Sequence, residues 1–178
     1  MPNDPQALAG VRVLEATNYI AGPVAGRILS DLGAEVIKLE LPPAGDYSRG
    51  RMPKSTSGPR FSPSHAYYNR GKGSLCINFK RPEGSALVKE LIPHFDVFLE
   101  NLTPGLLAKY GLGYDDVKTI NPRLIMCSVS GFGQTGPWAK LPATDAISQA
   151  VSGVTSLTGN PDGMPVFSGV YVSDGGAG

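Results

Sequence analysis

The sequence predicts an α/β fold: a Rossmann-like parallel sheet with flanking helices, in one domain over residues 1–178. Three observations point there. Short apolar runs recur along the chain, separated by stretches whose apolar residues fall at helical spacing. The first strand, helix and strand fit within about 30 residues, the length of a βαβ unit, whose crossover is right-handed and whose strands are parallel. The hydrophobic fraction of 41% is enough for a folded core, so 23 glycines and 16 prolines announce turns rather than disorder.

Residues 11–16 (VRVLEA) read as a buried strand. Residues 21–33 place Val24, Ile28, Leu29 and Leu32 at helical spacing toward a core, with Gly33 as the C-cap. Residues 35–40 (EVIKLE) are the second strand. Residues 41–73 change character, with PPAGD, a polar stretch around Ser55–Gly58, and NRGKG. Phe61, Tyr67 and Tyr68 mark this as a long ordered loop rather than a linker. Leu75, Ile77 and Phe79 then alternate as a strand. Pro82 opens a helix that turns Leu87, Val88, Leu91 and Ile92 inward, and Pro93 helps end it. DVFLEN (96–101) is a strand, short helices are expected near 104–110 and 114–120, and RLIMCSVSG (123–131) is the last strand. Ligands of such a sheet bind beyond the carboxyl ends of its strands. Here those ends carry Thr17, Asn18, Asn101 and Ser130–Gly131.

The formal net charge of +1 gives no reason to expect nucleic acid or a membrane surface as partner. Cys76 and Cys127 form no CxxC and sit in apolar runs, so both are expected as buried, reduced core thiols. His65 and His94 are not spaced as metal ligands, and no metal is expected. The start, MPNDPQALAG, does not read as a signal peptide, and no apolar run approaches the roughly 18 residues of a membrane helix, which makes the cytoplasm the expected compartment.

Five short motifs carry the functional signal, each with a plain structural alternative. Asn18-Tyr19-Ile20-Ala21-Gly22-Pro23 joins the first strand to its helix. A glycine-proline start leaves backbone N–H groups that favour phosphate, although an ordinary tight turn has the same residues. Arg70 and Lys72 flank Gly71, as phosphate-binding cations or as a solvated basic turn. Asn101, where a strand passes into a Pro104-led helix, either holds a ligand or caps that helix. Gly131, Gly133 and Gly136 form a loop able to close over a substrate, or a plain surface loop. Asp174, followed by Gly175 and Gly176, is an accessible carboxylate able to attack a thioester, or a helix N-cap. The 131–136 loop and the N–H groups after Asp174 are the candidate oxyanion donors.

In order along the chain, LAGVRVLEATNYIAGPVAGRILSDLGAEVIKLE, NRGKGSLCINFKRPEG, DVFLENLTPGLLAKYGLGYDDV, NPRLIMCSVSGFGQTGP and SDGGAG resemble the N-terminal part of the class III CoA-transferase family (the CaiB/BaiF type), from Leu8 to Gly178. The resemblance implies a CoA-binding domain, coenzyme A bound as acyl-CoA substrate, and a carboxylic acid acceptor. It places Asp174 at the family's catalytic aspartate, which carries covalent anhydride and thioester intermediates. Tyr19, Ile20 and Ala21, beside Asn18, match the turn along CoA. Asn101, Leu102 and Lys109 match the segment at its adenine and phosphate end. The chain departs from the pattern at Leu41, where an arginine is usual, at Gly73, where a basic residue is usual, and at Leu102, where an aromatic is usual. The family's acyl-CoA racemase or epimerase branch has a histidine before an aspartate where this chain has Thr144-Asp145, which disfavours that alternative. Family members are longer, with a second domain and two interlocked chains. The expectation is therefore a truncated domain of a longer, homodimeric parent, lacking the helix that Asp174 should open. A CoA-binding fragment without catalysis is the remaining alternative.

Overall fold

The computed structural model describes residues 6–51 and 62–178. The expected polar stretch around Ser55–Gly58, and Phe61, lie outside the described residues. Five strands, β1 (Arg12–Ala16), β2 (Glu35–Glu40), β3 (Gly73–Cys76), β4 (Val97–Glu100) and β5 (Ile125–Ser128), form one sheet in the order β3-β2-β1-β4-β5, every pairing parallel. That order places the carboxyl end of β1 at the centre, between those of β2 and β4, where a doubly wound sheet opens its ligand crevice.

Alternation along β1 and β2 assigns the two faces. Leu14 and Leu39 pack with Phe98, Val88, Ile92, Leu107 and Val117 on one side, beneath α4 (Pro82–Leu91), α5 (Leu106–Lys109) and α6 (Tyr114–Ile120). Val13, Val36 and Leu99 pack with Ala25 and Leu29 of α1 (Ala21–Asp31) on the other. The expected long loop after β2 holds two short helices, α2 (Ser48–Arg51) and α3 (Pro63–Asn69). The chain after β5 forms α7 (Asp145–Val151), a 3₁₀ turn (Val154–Leu157) and α8 (Val172–Ala177). The helix led by Asp174's segment is thus present.

Several expectations need correction. The β3 strand ends at Cys76, so Ile77 and Phe79 are buried beyond it rather than within it. Leu87, Ile28 and Leu32 are exposed. The fully buried residues of α1 are Gly22, Pro23 and Gly26, with Ala25 and the expected Leu29 half-buried against the sheet. A Cβ on Gly26 would stand 1.9 Å from a Glu15 carboxylate oxygen, so glycine sets how closely α1 approaches the sheet. Cys76 and Cys127 are exposed, because both lie on edge strands. Among the described residues no helix is long and apolar enough to cross a membrane.

The α1-facing side of the sheet also buries charge. Glu15 on β1 stands in register with Lys38 on β2. Lys38 Nζ lies 2.9 Å from Glu15 Oε1 and 3.0 Å from Asp46 Oδ2, and donates to the carbonyl of Thr17 at 2.9 Å. Lys72 Nζ lies 2.7 Å from Glu15 Oε2 and 2.9 Å from the carbonyl of Pro23, in the first turn of α1. Two cations and two carboxylates cancel, which is how four buried charges are tolerated.

Candidate active site

The crevice at the carboxyl end of the sheet is organised by the turn between β1 and α1. Asn101, just past β4, holds that turn with both ends of its amide: the Asn18 N–H donates to Oδ1 at 2.8 Å, and Nδ2 donates to the Asn18 carbonyl at 2.8 Å. Tyr19 has φ 66°, a left-handed conformation that costs a non-glycine residue and persists only where neighbours enforce it. Asp46 is one such neighbour. Its Oδ1 accepts the Tyr19 N–H at 3.2 Å and the Ser48 N–H at 2.8 Å, while its other oxygen faces Lys38. Burial would push the Asp46 carboxyl up, but Lys38 and the Ser48 N–H hold it below its ordinary value. The Tyr19 ring stacks on Tyr47, with centroids 5.2 Å apart and planes at 11°. No side chain caps α1, so Ile20 and Ala21 bring an uncapped helix start to the crevice.

A cleft of about 530 Å³ opens there, lined by Asn18, Tyr19, Ile20, Ala21 and Asn101 on one side. Ser48, Thr144, Asp145, Tyr171 and Asp174 complete its wall. An adjoining cleft of about 300 Å³ joins Asp174 and Ala21 to Ser130 and Gly131 after β5. The structure therefore brings Asp174 together with the Asn18–Ala21 turn and Asn101, and places the start of the glycine loop beside them. Gly131 must lack a side chain, since a Cβ there would stand 1.9 Å from that of Ala143.

Asp174 is not an N-cap. Tyr171 holds that position, and Asp174 lies within the first turn of α8. Its carboxyl is pushed up, first by burial and then by the nearby charge of Asp145. Three N–H groups around Asp174, including that of Gly175 among the expected oxyanion donors, are already committed. Asp145 Oδ1 accepts the N–H groups of Ser173 at 2.8 Å and Asp174 at 3.1 Å, and Gly175 N–H goes to the Tyr171 carbonyl at 2.9 Å.

The basic candidates divide. Lys72 is directed inward onto Glu15, and its burial pushes the ammonium down to about 8 against the pull of that carboxylate. It braces the turn instead of facing a phosphate, a correction to the sequence expectation. Arg70 is exposed and pairs with Asp31 at 2.7 Å, on the far end of α1. Lys109 is exposed beside Tyr110, away from the main cleft. Leu102 lines a separate groove of about 210 Å³ with Leu41, Phe79 and Lys80. Sequence reasoning passed over Lys80, although a cation just past a strand's carboxyl end was a readable signal. Asp145 and Asp46 were also missed as site residues; the partners that tie them to the site, Ser173 and Asp174 for one and Tyr19 for the other, lie too far along the chain for spacing to reveal. Among the described residues no group of three or more His, Cys, Asp or Glu side chains is placed to hold a metal ion.

The sequence profile of CoA-transferase family III matches residues 8–178. The chain is 48% identical over 180 residues to a succinate–glutarate CoA-transferase of Agrobacterium fabrum, covering 98% of this chain and 44% of that protein. It is 45% identical over 176 residues to the human succinyl-CoA:glutarate CoA-transferase, covering 97% and 39%. A crystal structure of a CaiB/BaiF family protein from Brucella suis superposes with a TM-score of 0.89 at 42% identity, covering 96% of this chain and 46% of that one. The chain thus spans less than half the length of these relatives.

Proposed function

The chain belongs to CoA-transferase family III, and from that premise we propose that the enzyme containing it moves CoA from an acyl-CoA donor to a free carboxylic acid, with Asp174 as nucleophile. The observation that carries this reading is the position of Asp174. It is a half-buried carboxylate in the same cleft as the Asn18–Ala21 turn, with the glycine loop alongside.

In the proposed cycle, Asp174 attacks the thioester carbonyl. The C–S bond breaks, and an aspartyl–acyl anhydride and a CoA thiolate result. The thiolate attacks the aspartyl carbonyl, releasing the donor acid and leaving an aspartyl–CoA thioester. The acceptor carboxylate attacks that thioester and frees the thiolate again. The thiolate then takes the acceptor's acyl carbon and restores the Asp174 carboxylate. The elevated carboxyl of Asp174 suits this role, because a carboxylate of higher pKa is the better nucleophile once ionised. Loop N–H groups at 131–136 are the proposed oxyanion donors.

CoA is proposed to lie along Tyr19–Ala21, with Leu102 and Lys80 in the neighbouring groove and Lys109 and Arg70 as outlying cations. The acids named for the relatives, succinate and glutarate, make a dicarboxylic acid the proposed substrate class. Nothing in the cleft favours epimerisation: Thr144 precedes Asp145 and carries no group that shuttles a proton at neutral pH. We also propose that residues 1–178 are one CoA-binding domain of a two-chain assembly. The exposed apolar side chains Leu157, Met164 and Val170 on the segment before α8 support a covered surface there.

The test is covalent. Hydroxylamine added during turnover of the enzyme should convert Asp174 to its hydroxamate, found by peptide mass. Asp174→Ala and Asp174→Asn should abolish transfer while CoA affinity stays near wild type. Normal transfer by the alanine variant would end the proposal, and CoA binding without any turnover by the wild type would leave a binding module.

A further inference from the structure

We propose that Asp145 and Gln149 are positioning residues for Asp174: together they pin the turn that carries it, and Asp145 stands beside it as a fixed negative charge that favours its uncharged, acylated form. This extends the nucleophile reading above and rests on it.

The turn cannot hold itself. The α8 helix has six residues, two of them the glycines that follow Asp174, and short glycine-rich helices are marginal without outside support. α8 packs on both α1 and α7, and the side-chain hydrogen bonds to its first turn come from α7. Asp145 opens α7 and is 7% exposed. One of its oxygens takes both the Asp174 N–H and that of Ser173 just before it. Its other oxygen takes Nε2 of Gln149, one helical turn on. Gln149 is 1% exposed, and its Oε1 takes the Ser168 N–H at 2.9 Å. Two side chains, four residues apart on one helix, thus fix the chain at 168 and again at 173–174. The hydrogen-bond directions are unambiguous. Backbone N–H groups only donate, so Gln149 must present its oxygen to Ser168 and its NH₂ to Asp145.

The same contacts leave the Asp145 carboxyl without a neutralising cation. Its partners are N–H dipoles, and among the described residues no cation forms an ion pair with it. Among the described residues, the titratable groups facing Asp174 are Asp145 from α7, Tyr171 from the start of its own helix, and Tyr68 from α3. The first turn of α1 meets the end of α8 through Ala21 and Val24, which carry no charge. Among the described residues, an ionised Asp174 therefore feels one nearby charge, of its own sign. On attack, the Asp174 oxygen–carbon bond forms, the C–S bond breaks, and the negative charge leaves with the CoA sulfur. The repulsion is relieved as the covalent bond forms, so it favours the acyl-aspartyl state over the free carboxylate.

Capping and charge can be separated by an exchange. In Asp145→Asn the new NH₂ faces the NH₂ of Gln149. In the double variant Asp145→Asn/Gln149→Glu every hydrogen bond is restored, and the negative charge sits one helical turn farther away. The enzyme containing this domain is assayed for transfer against pH, for melting, and for hydroxamate at Asp174. The double variant should melt above the Asp145→Asn single variant and near wild type. Its kcat plateau should fall about 3–10-fold, with the acid limb displaced to lower pH, because the pH dependence of kcat reports groups in the bound complex. A merely structural role would leave that limb in place. A double variant with the wild-type plateau and acid limb overturns the charge role, and one that melts no higher than the single variant overturns the clamp. Absence of hydroxamate at Asp174 in the wild type is a different failure, that of the nucleophile reading itself.

Discussion

Replacing Asn101 by alanine removes two hydrogen bonds in one step and leaves the N–H and carbonyl of Asn18 without their partner in a half-buried turn. A net hydrogen bond contributes about 0.5–1.5 kcal/mol, and the orphaned backbone groups add to the loss, so Asn101→Ala should cost about 2 kcal/mol. At ~2–4 °C per kcal/mol for a chain of this size, the melting temperature should fall by about 4–8 °C. The turn should also loosen, and CoA affinity should weaken with it. Asn101→Asp discriminates further. A carboxylate still accepts the Asn18 N–H but meets the Asn18 carbonyl with no proton to give, so aspartate should be no better than alanine. Urea unfolding of the three proteins, with CoA titration calorimetry, reads both effects. An alanine variant within about 0.5 kcal/mol of wild type, or a tolerated aspartate, would refute the clamp.

Lys72→Met should destabilise by about 3 kcal/mol in urea unfolding, since removing one partner of a buried pair strands Glu15 with a charge Lys38 must already share with Asp46. Glu40 is held at about 2: burial pushes its carboxyl up from 4.5, but hydrogen bonds from Arg49, the Asp46 N–H and Ser74 outweigh that. A depressed folded value means stability present above about 4.5 and lost as pH falls toward 2. Acid unfolding of Arg49→Met should therefore begin at higher pH than wild type, and coincident curves would contradict this. Lys109→Ala should weaken CoA binding by about 1–2 kcal/mol at low salt and less at high salt, as calorimetry at two ionic strengths would show. Cys76 and Cys127 should both react with a thiol reagent in the native protein, at rates near those of the unfolded chain, unless an edge of the sheet is covered.

The sheet was legible because strand and helix periods are local properties, and the boundaries missed were those where locality fails. Ile77 and Phe79 continue the alternation of β3, yet their burial comes from the turn onto α4 and not from pairing. The two cysteines lie in runs as apolar as any core strand. Burial needs a layer on both faces, and edge position depends on strand order, which no single strand encodes. The α1 helix misled for the opposite reason. A search for large apolar residues finds Ile28 and Leu32 as well as Leu29, but only Leu29 packs on the sheet, and the tightest approach is at Gly26, whose small size lets the helix come down on Glu15.

The site divides along the same line. Asn18, Ala21, Asn101 and Gly131 were readable because the carboxyl ends of strands are readable, and the cleft forms there. Asp174 was not, since on its residues alone a carboxylate before two glycines reads as a cap; family resemblance singled it out. What holds these residues in place was hidden altogether. Lys38, Lys72 and Glu15 read as strand and turn charges until β1 and β2 are set in register and Glu15 meets Lys38. From there the chain of causes runs outward: Lys38 fixes Asp46, Asp46 takes the Tyr19 N–H, and Tyr19 keeps the left-handed conformation that shapes the start of α1. If that is how the turn is made, Asp46→Asn should spare the fold more than it spares CoA binding. An amide oxygen still accepts the Tyr19 N–H, while the amide end turned to Lys38 can no longer neutralise it. Equal losses in stability and affinity would show instead that Asp46 serves the core alone.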